Sequence, residues 1–215
     1  MAHIEPKSRE ELPELQKVMA MAQATMGFVP NSMLTMAHMP QLSMAFSILA
    51  GVVYGADLRA MFENYSDSVP KHSGANENLD PQLIQLIAFS VSLSSGCRYC
   101  QAHTSHKLTG AGASAEKLNE LLRYEESDLF TAAEKSLIAL ALAAGQTPNE
   151  ATQAHFDSLH LHYSDRQIVQ IVAVIALFGF LNRWNDTMAT TLESEPLSFA
   201  LDTLSAFNWD VSKHT

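Results

Sequence analysis

An all-helical fold is predicted by three observations. Apolar residues recur at helical spacing in nearly every periodic segment and no alternating strand pattern is found. Two four-residue capping boxes, Thr131-Ala132-Ala133-Glu134 and Ser164-Asp165-Arg166-Gln167, stand at helix starts. The breaks between periodic segments fall at Pro, Gly and Ser, the residues that end and begin helices.

In order, a first helix is expected from near Pro13 to about Met26. A turn over Gly27–Asn31 leads to a short helix that ends before Pro40. A longer helix after Pro40 is expected to carry Leu42, Phe46, Leu49, Val53 and Met61 inward, with Met33, Met36, Met39 and Met44 as adaptable core packing. Ser66 to Asn78, rich in Ser, Asn, Gly and Pro, reads as a loop. Asp80-Pro81 supplies an N-cap and a first-turn proline for an apolar helix. Ser94-Ser95-Gly96 interrupts it, so Cys97 opens a new segment that reaches Thr109 and stops at Gly110-Ala111-Gly112.

Thr131 then caps a helix to Gly145, and Pro148-Asn149 starts one carrying His155, His160 and His162, expected at the surface. Ser164 opens a helix to about Met188, whose apolar run Ile168 to Leu181 is expected to be a buried core element. That run falls short of the roughly 20 residues a membrane span needs. Gln82–Ala88 and Gln167–Ala173 share one pattern of paired glutamines, compatible with two similarly buried helices.

The chain has 215 residues, 47% hydrophobic and 17% charged, which suits one large globular domain or two small ones. A formal charge of −10 with no Lys/Arg cluster argues against nucleic acid as a partner. The N-terminal residues lack the basic start and apolar core of a signal peptide, so a cytoplasmic protein without a membrane anchor is expected.

Both cysteines lie in Cys97-Arg98-Tyr99-Cys100, followed by His103 and His106 at three-residue steps. In a reducing compartment such a pair points to catalysis or metal binding rather than to a structural disulfide. On a helix Cys97 and Cys100 lie about 60° apart, on one face. A cysteine at a helix N-terminus is biased toward thiolate, and Arg98 or a histidine would add to that bias. Zinc is the competing reading, but Cys97, Cys100, His103 and His106 fan over about 180° and cannot converge on one tetrahedral ion. Inert, buried cysteines with surface histidines are a third reading. Asn182 and Arg183 close the last long helix, and Asp186, one turn on, is expected to form an ion pair with Arg183.

The Cys97–Cys100 stretch with its flanks resembles the carboxymuconolactone decarboxylase and alkylhydroperoxidase D superfamily, all-helical proteins that carry a Glu followed by Cys-x-x-Cys-x-x-x-His. The resemblance extends to Gly27-Phe28-Val29-Pro30-Asn31, Leu79-Asp80-Pro81, Thr131–Glu134 and Phe178–Arg183, as in the longer, peroxidase-related members. It implies an N-terminal helical extension over residues 1–66, a core over 79–192 and a tail over 193–215, one structural domain overall.

The resemblance further implies a thiol-dependent peroxidase without metal, flavin or haem. Cys100 would attack the peroxide and Cys97 would resolve the sulfenic acid as a disulfide. The partners would be a peroxide or small disulfide, a reducing thiol or dithiol protein, and further copies of the chain in a homo-oligomer. Two positions depart from the family pattern. The Glu position is Gln85, which cannot titrate, and the His position is Thr104. The reading is therefore that His103 takes over as base or orienting group, with Gln85 acting by hydrogen bonding and Thr104, His106 and Arg98 as accessory residues. Two other functions fit the altered relay: a general thiol–disulfide oxidoreductase, or a non-enzymatic oligomeric binding protein with vestigial cysteines.

Overall fold

The computed structural model of the protein describes residues 2–71 and 74–215; Met1, and His72 and Ser73 of the expected Ser66–Asn78 loop, lie outside them. The described residues hold helices and no strand. The chain divides into two compact units, residues 1–78 and 79–215.

The first unit has four α-helices: α1 Gln16–Met26, α2 Asn31–Met36, α3 Pro40–Val53 and α4 Leu58–Tyr65. Its core gathers Leu12, Leu15, Val18, Met19, Leu34, Met44 and Tyr65. The helix expected to run on from Pro40 stops at Val53, and Asp57 caps α4 by accepting the Arg59 and Ala60 amides. Phe46, Leu49 and Val53, expected inside, are exposed. The buried stripe of α3 holds Ser43 and Met44 instead, and the Ser43 hydroxyl donates to Met33 O.

The second unit is built on α5 Pro81–Ser94, α6 Arg98–Gly110, α8 Ala132–Gly145 and α10 Asp165–Met188, with shorter α7 Ala115–Asn119, α9 Gln153–His160 and α11 Ser194–Thr203. Helix α5 is the centre: it packs on α6, α8 and α10, and Leu86 through Ser92 are buried without a break. The expected capping boxes at Thr131 and Ser164 both form. Glu134, the reciprocal residue of the first, also pairs with Lys117 at 2.5 Å.

Three features of this unit differ from the sequence reading. Helix α10 is not buried all round, since Val172, Leu177, Phe180, Trp184 and Met188 are exposed along it. By length and composition alone it would qualify as a membrane span, alone in this among the described residues. Helix α9 begins only at Gln153, after Thr152, and not at the expected Pro148-Asn149. The expected tail from Glu193 is ordered: α11 packs on α6, Trp209 donates to Arg98 O, and Leu192 N donates to His214 O.

Candidate functional site: a buried dithiol at the start of α6

Gly96 turns the chain between α5 and α6 at φ +75°, a conformation that favours glycine. The turn leaves Cys97 as the N-cap of α6, in extended backbone, and Cys100 in its first turn. Both are free thiols and both are buried, at 1% and 3% exposure. The helix N-terminus contributes partial positive charge at Cys97.

The Cys100 thiol, donating toward Cys97 Sγ, is the largest influence holding the Cys97 thiol below its ordinary value. Burial opposes this. The Cys100 and Tyr99 amides add to the lowering, although neither completes a formal cap hydrogen bond. Cys100 moves the opposite way: its contact with Cys97 and its burial both raise it. The contact between the two thiols thus pushes them in opposite directions, Cys97 down and Cys100 up.

Helix α10 supplies the other wall. Asn185 Nδ2 donates to Cys100 Sγ at 3.6 Å, a reasonable length for a sulfur acceptor. Asp186 bears electrostatically on both thiols and raises both. Its own partners are Lys213 at 2.8 Å and the buried His214 at 3.8 Å, not Arg183 as the sequence suggested. One turn earlier, Asn182 Oδ1 accepts from Ser92 Oγ at 3.1 Å, and its Nδ2 is buried without a partner. Ser92 O in turn accepts from Gln101 Nε2, and Gln101 Oε1 accepts from Arg98.

The remaining candidates lie apart from the sulfurs. His103 hydrogen-bonds Glu193 at 2.7 Å and stacks on Tyr99, so its imidazole is committed to the start of α11 rather than to Cys100. Tyr99 also donates to Glu193, and burial together with that carboxylate pushes its phenol up to about 12. His106 faces Glu195 at 3.8 Å and the ring of Phe199. Thr104 turns its hydroxyl back onto Cys100 O at 2.6 Å.

Gln85 lies where α5 crosses the second half of α6. The two helices run antiparallel, and cross-bonds from Gln82 to Ala111 O and from Gln101 to Ser92 O fix their register. That register sets Gln85 opposite the region of Leu108, and its Oε1 is buried without a partner. The structure therefore brings together Cys97, Cys100 and Asn185, with Asp186 beside them, and leaves Gln85, His103 and His106 outside. No cluster of three or more His, Cys, Asp and Glu side chains suited to a metal is present among the described residues.

A groove of about 1040 Å³ runs beside this wall, between the C-terminal parts of α5, α8 and α10. It is mainly apolar, with Val91, Phe156, Ile175 and Trp184 among its lining, and Asn182 and Asp186 form part of its polar edge.

Comparison with known proteins agrees with this architecture. Residues 56–143 match the Carboxymuconolactone decarboxylase family. The crystal structure of the debrominase Bmp8 superposes at a TM-score of 0.56, with 30% identity over 94% of this chain and 96% of that one. The chain belongs to the carboxymuconolactone decarboxylase family, within the superfamily that includes AhpD-like proteins.

Other family members bear on what the fold can do. A Bmp8 variant with one cysteine changed to alanine, in complex with 2,3,4-tribromopyrrole, matches at the same identity and TM-score over 94% and 97% of the two chains. A protein of unknown function from Agrobacterium tumefaciens, proposed to be the antioxidant defence protein AhpD, matches at a TM-score of 0.52, with 25% identity over 70% and 92%. The uncharacterized protein YnjA of Escherichia coli (strain K12) is 27% identical over 110 residues, 51% of this chain and only 60% of that relative's length.

Proposed function

We propose that this protein is a dithiol-dependent reductase of hydroperoxides, in which Cys97 attacks and Cys100 supplies the proton and then closes the disulfide. The observation that carries the reading is the buried thiol pair at the start of α6, with Cys97 at the cap and Cys100 one turn inside. The family resemblance implied the reverse assignment, Cys100 attacking. The helix terminus and the Cys100 thiol both favour charge on Cys97, and the thiolate is the nucleophile.

The steps balance without a separate base. Cys97 thiolate attacks the hydrogen-bearing oxygen of the hydroperoxide; an S–O bond forms as the O–O bond breaks. The departing alkoxide takes the Cys100 proton and leaves as the alcohol. Cys97 is then a sulfenic acid and Cys100 a thiolate. Attack of Cys100 on the Cys97 sulfur forms the disulfide and expels hydroxide, which is protonated to water. The two sulfurs lose the two electrons that the peroxide gains, and an external thiol or dithiol protein restores the pair. The mainly apolar groove at Asp186 suits an organic hydroperoxide better than a charged one.

The test is consumption of an organic hydroperoxide with an added dithiol, together with a thiol count. The wild type should turn over and lose two thiols on oxidation. Cys97→Ser should abolish turnover, whereas Cys100→Ser should consume one equivalent and stop as a sulfenic acid. If Cys100→Ser loses the first equivalent while Cys97→Ser retains it, the order of the sulfurs is reversed.

A second reading is favoured by the likeness to Bmp8 over nearly the whole chain: reductive removal of halogen from a small aromatic by the same dithiol. Bromide release from a bromopyrrole under the same conditions, without hydroperoxide turnover, would select it.

A further inference from the structure

We propose that Asn185 is a positioning residue for the second sulfur: its side-chain N–H holds Cys100 Sγ and stabilises the thiolate that Cys100 becomes once its proton has left. The inference rests on the dithiol reading above and adds what that reading lacks. At the positions that the resemblance assigns to the family's Glu and His, Gln85 leaves its Oε1 without a partner and Thr104 bonds Cys100 O and not its sulfur, while His103 is bound to Glu193. Something must still stabilise charge on that sulfur at the closing step.

Asn185 is placed for this task. It is buried, and its Nδ2 lies 3.6 Å from Cys100 Sγ. A thiolate can only accept hydrogen bonds, and the amide nitrogen can only donate them. The backbone of Asn185 is fixed independently, because its carbonyl accepts the Ala189 and Thr190 amides where α10 ends in a left-handed turn. The donor is therefore held by the helix end and does not have to be ordered during the reaction.

The charged and titratable groups that face Cys100 are few. Cys97 lies beside it on α6, and Asp186 bears on it from α10. Tyr99 stands on α6 with its phenol turned to Glu193, and the buried stretch of α5, Leu86 through Ser92, carries no titratable side chain. Asp186 opposes a thiolate, and Asn185 is the side chain that favours one. The division of labour follows. The helix terminus supports charge on Cys97 during attack, and Asn185 supports it on Cys100 during closure: bond formation to the Cys97 sulfur, with hydroxide leaving.

The experiment has two arms. In a Cys97→Ser background, the ultraviolet absorbance of the remaining thiolate is followed against pH. Asn185→Leu should raise the Cys100 midpoint by about one unit, the scale of a hydrogen bond to a charged group. Asn185→Gln, which keeps a donor, should recover part of the shift. Asn185→Asp keeps the shape but sets a carboxylate against the sulfur, and should raise the midpoint further. An unchanged midpoint in both Asn185→Leu and Asn185→Asp overturns the proposal, as does a Gln variant indistinguishable from Leu, which would mean packing alone.

In the second arm, one equivalent of hydroperoxide is added to chains with both cysteines. Asn185→Leu should slow disulfide closure roughly ten-fold, and the peroxide step by less, with the sulfenic acid persisting on Cys97 by mass. Equal slowing of both steps counts against a role in closure. If the wild type does not reduce hydroperoxides at all, the functional reading fails, while the titration arm still decides whether Asn185 holds Cys100.

Discussion

The two ends of the α5–α6 pair carry the same kinds of residue and do different things with them. At the turn, the polar groups form a connected set: Asn185 to Cys100, Gln101 to Ser92, Ser92 to Asn182. At the far end, Gln85 Oε1 and Thr109 Oγ1 are buried without a partner, and Thr104 spends its hydroxyl on its own helix. Asn182 Nδ2 at the turn is also buried without a partner, so the contrast is between Asn185, whose amide donates to a sulfur, and Gln85, whose oxygen stays unpaired. On the dithiol reading proposed above, the proton chemistry rests with the two sulfurs and Asn185, and not with Gln85 or Thr104.

Four changes test that contrast. The largest effect is expected at the turn, where Cys97→Ser should remove hydroperoxide consumption to background. Next, the wild-type rate should rise with pH as Cys97 loses its proton and level off below the ordinary thiol value of about 8.5, because the Cys97 thiol is lowered. A rate still climbing above that value would mean that the reacting thiol is the raised one, Cys100. At the far end, Gln85→Leu should leave turnover within about two-fold and change stability by no more than about 1 kcal/mol, since it removes an amide oxygen that has no partner. Denaturant unfolding with a peroxide assay checks both, and a large loss of turnover would return the relay to Gln85.

The smallest effect concerns His103. His103→Ala should leave the Cys100 thiolate midpoint in place, because the imidazole is bound to Glu193. What should move is Glu193. Its burial raises it, but its own backbone, His103 and Tyr99 together hold it below the ordinary carboxyl value, so losing the imidazole should let it rise. The carboxyl resonance of Glu193, followed by NMR across acid pH, reads this directly.

Much of the helical frame was legible in the sequence because caps are local. Thr131, Ser164 and Asp80 each satisfy amides within three residues, so their positions mark helix starts without reference to the rest of the chain. The break before Cys97 was legible for the same reason, through Gly96. What the sequence hid was long-range. Asn185 stands 85 positions from Cys100, and Glu193 90 from His103, and no spacing rule connects such pairs. Helical angles placed His103 within reach of Cys100 but could not say that Glu193 would claim it. The apolar run of α10 suggested burial, yet composition does not reveal which side of a helix a neighbour covers.

The depth of the two sulfurs carries one more consequence. With Cys97 and Cys100 at 1% and 3% exposure, surrounding side chains shield both sulfurs from an oxidant unless the structure opens locally. Any reaction must then wait for a local opening, and its rate reports how often that opening occurs as well as how fast the chemistry is. Probes of increasing size should therefore slow far more steeply here than on a free peptide thiol. The dithiol, read this way, is a clock for the breathing of the protein around it.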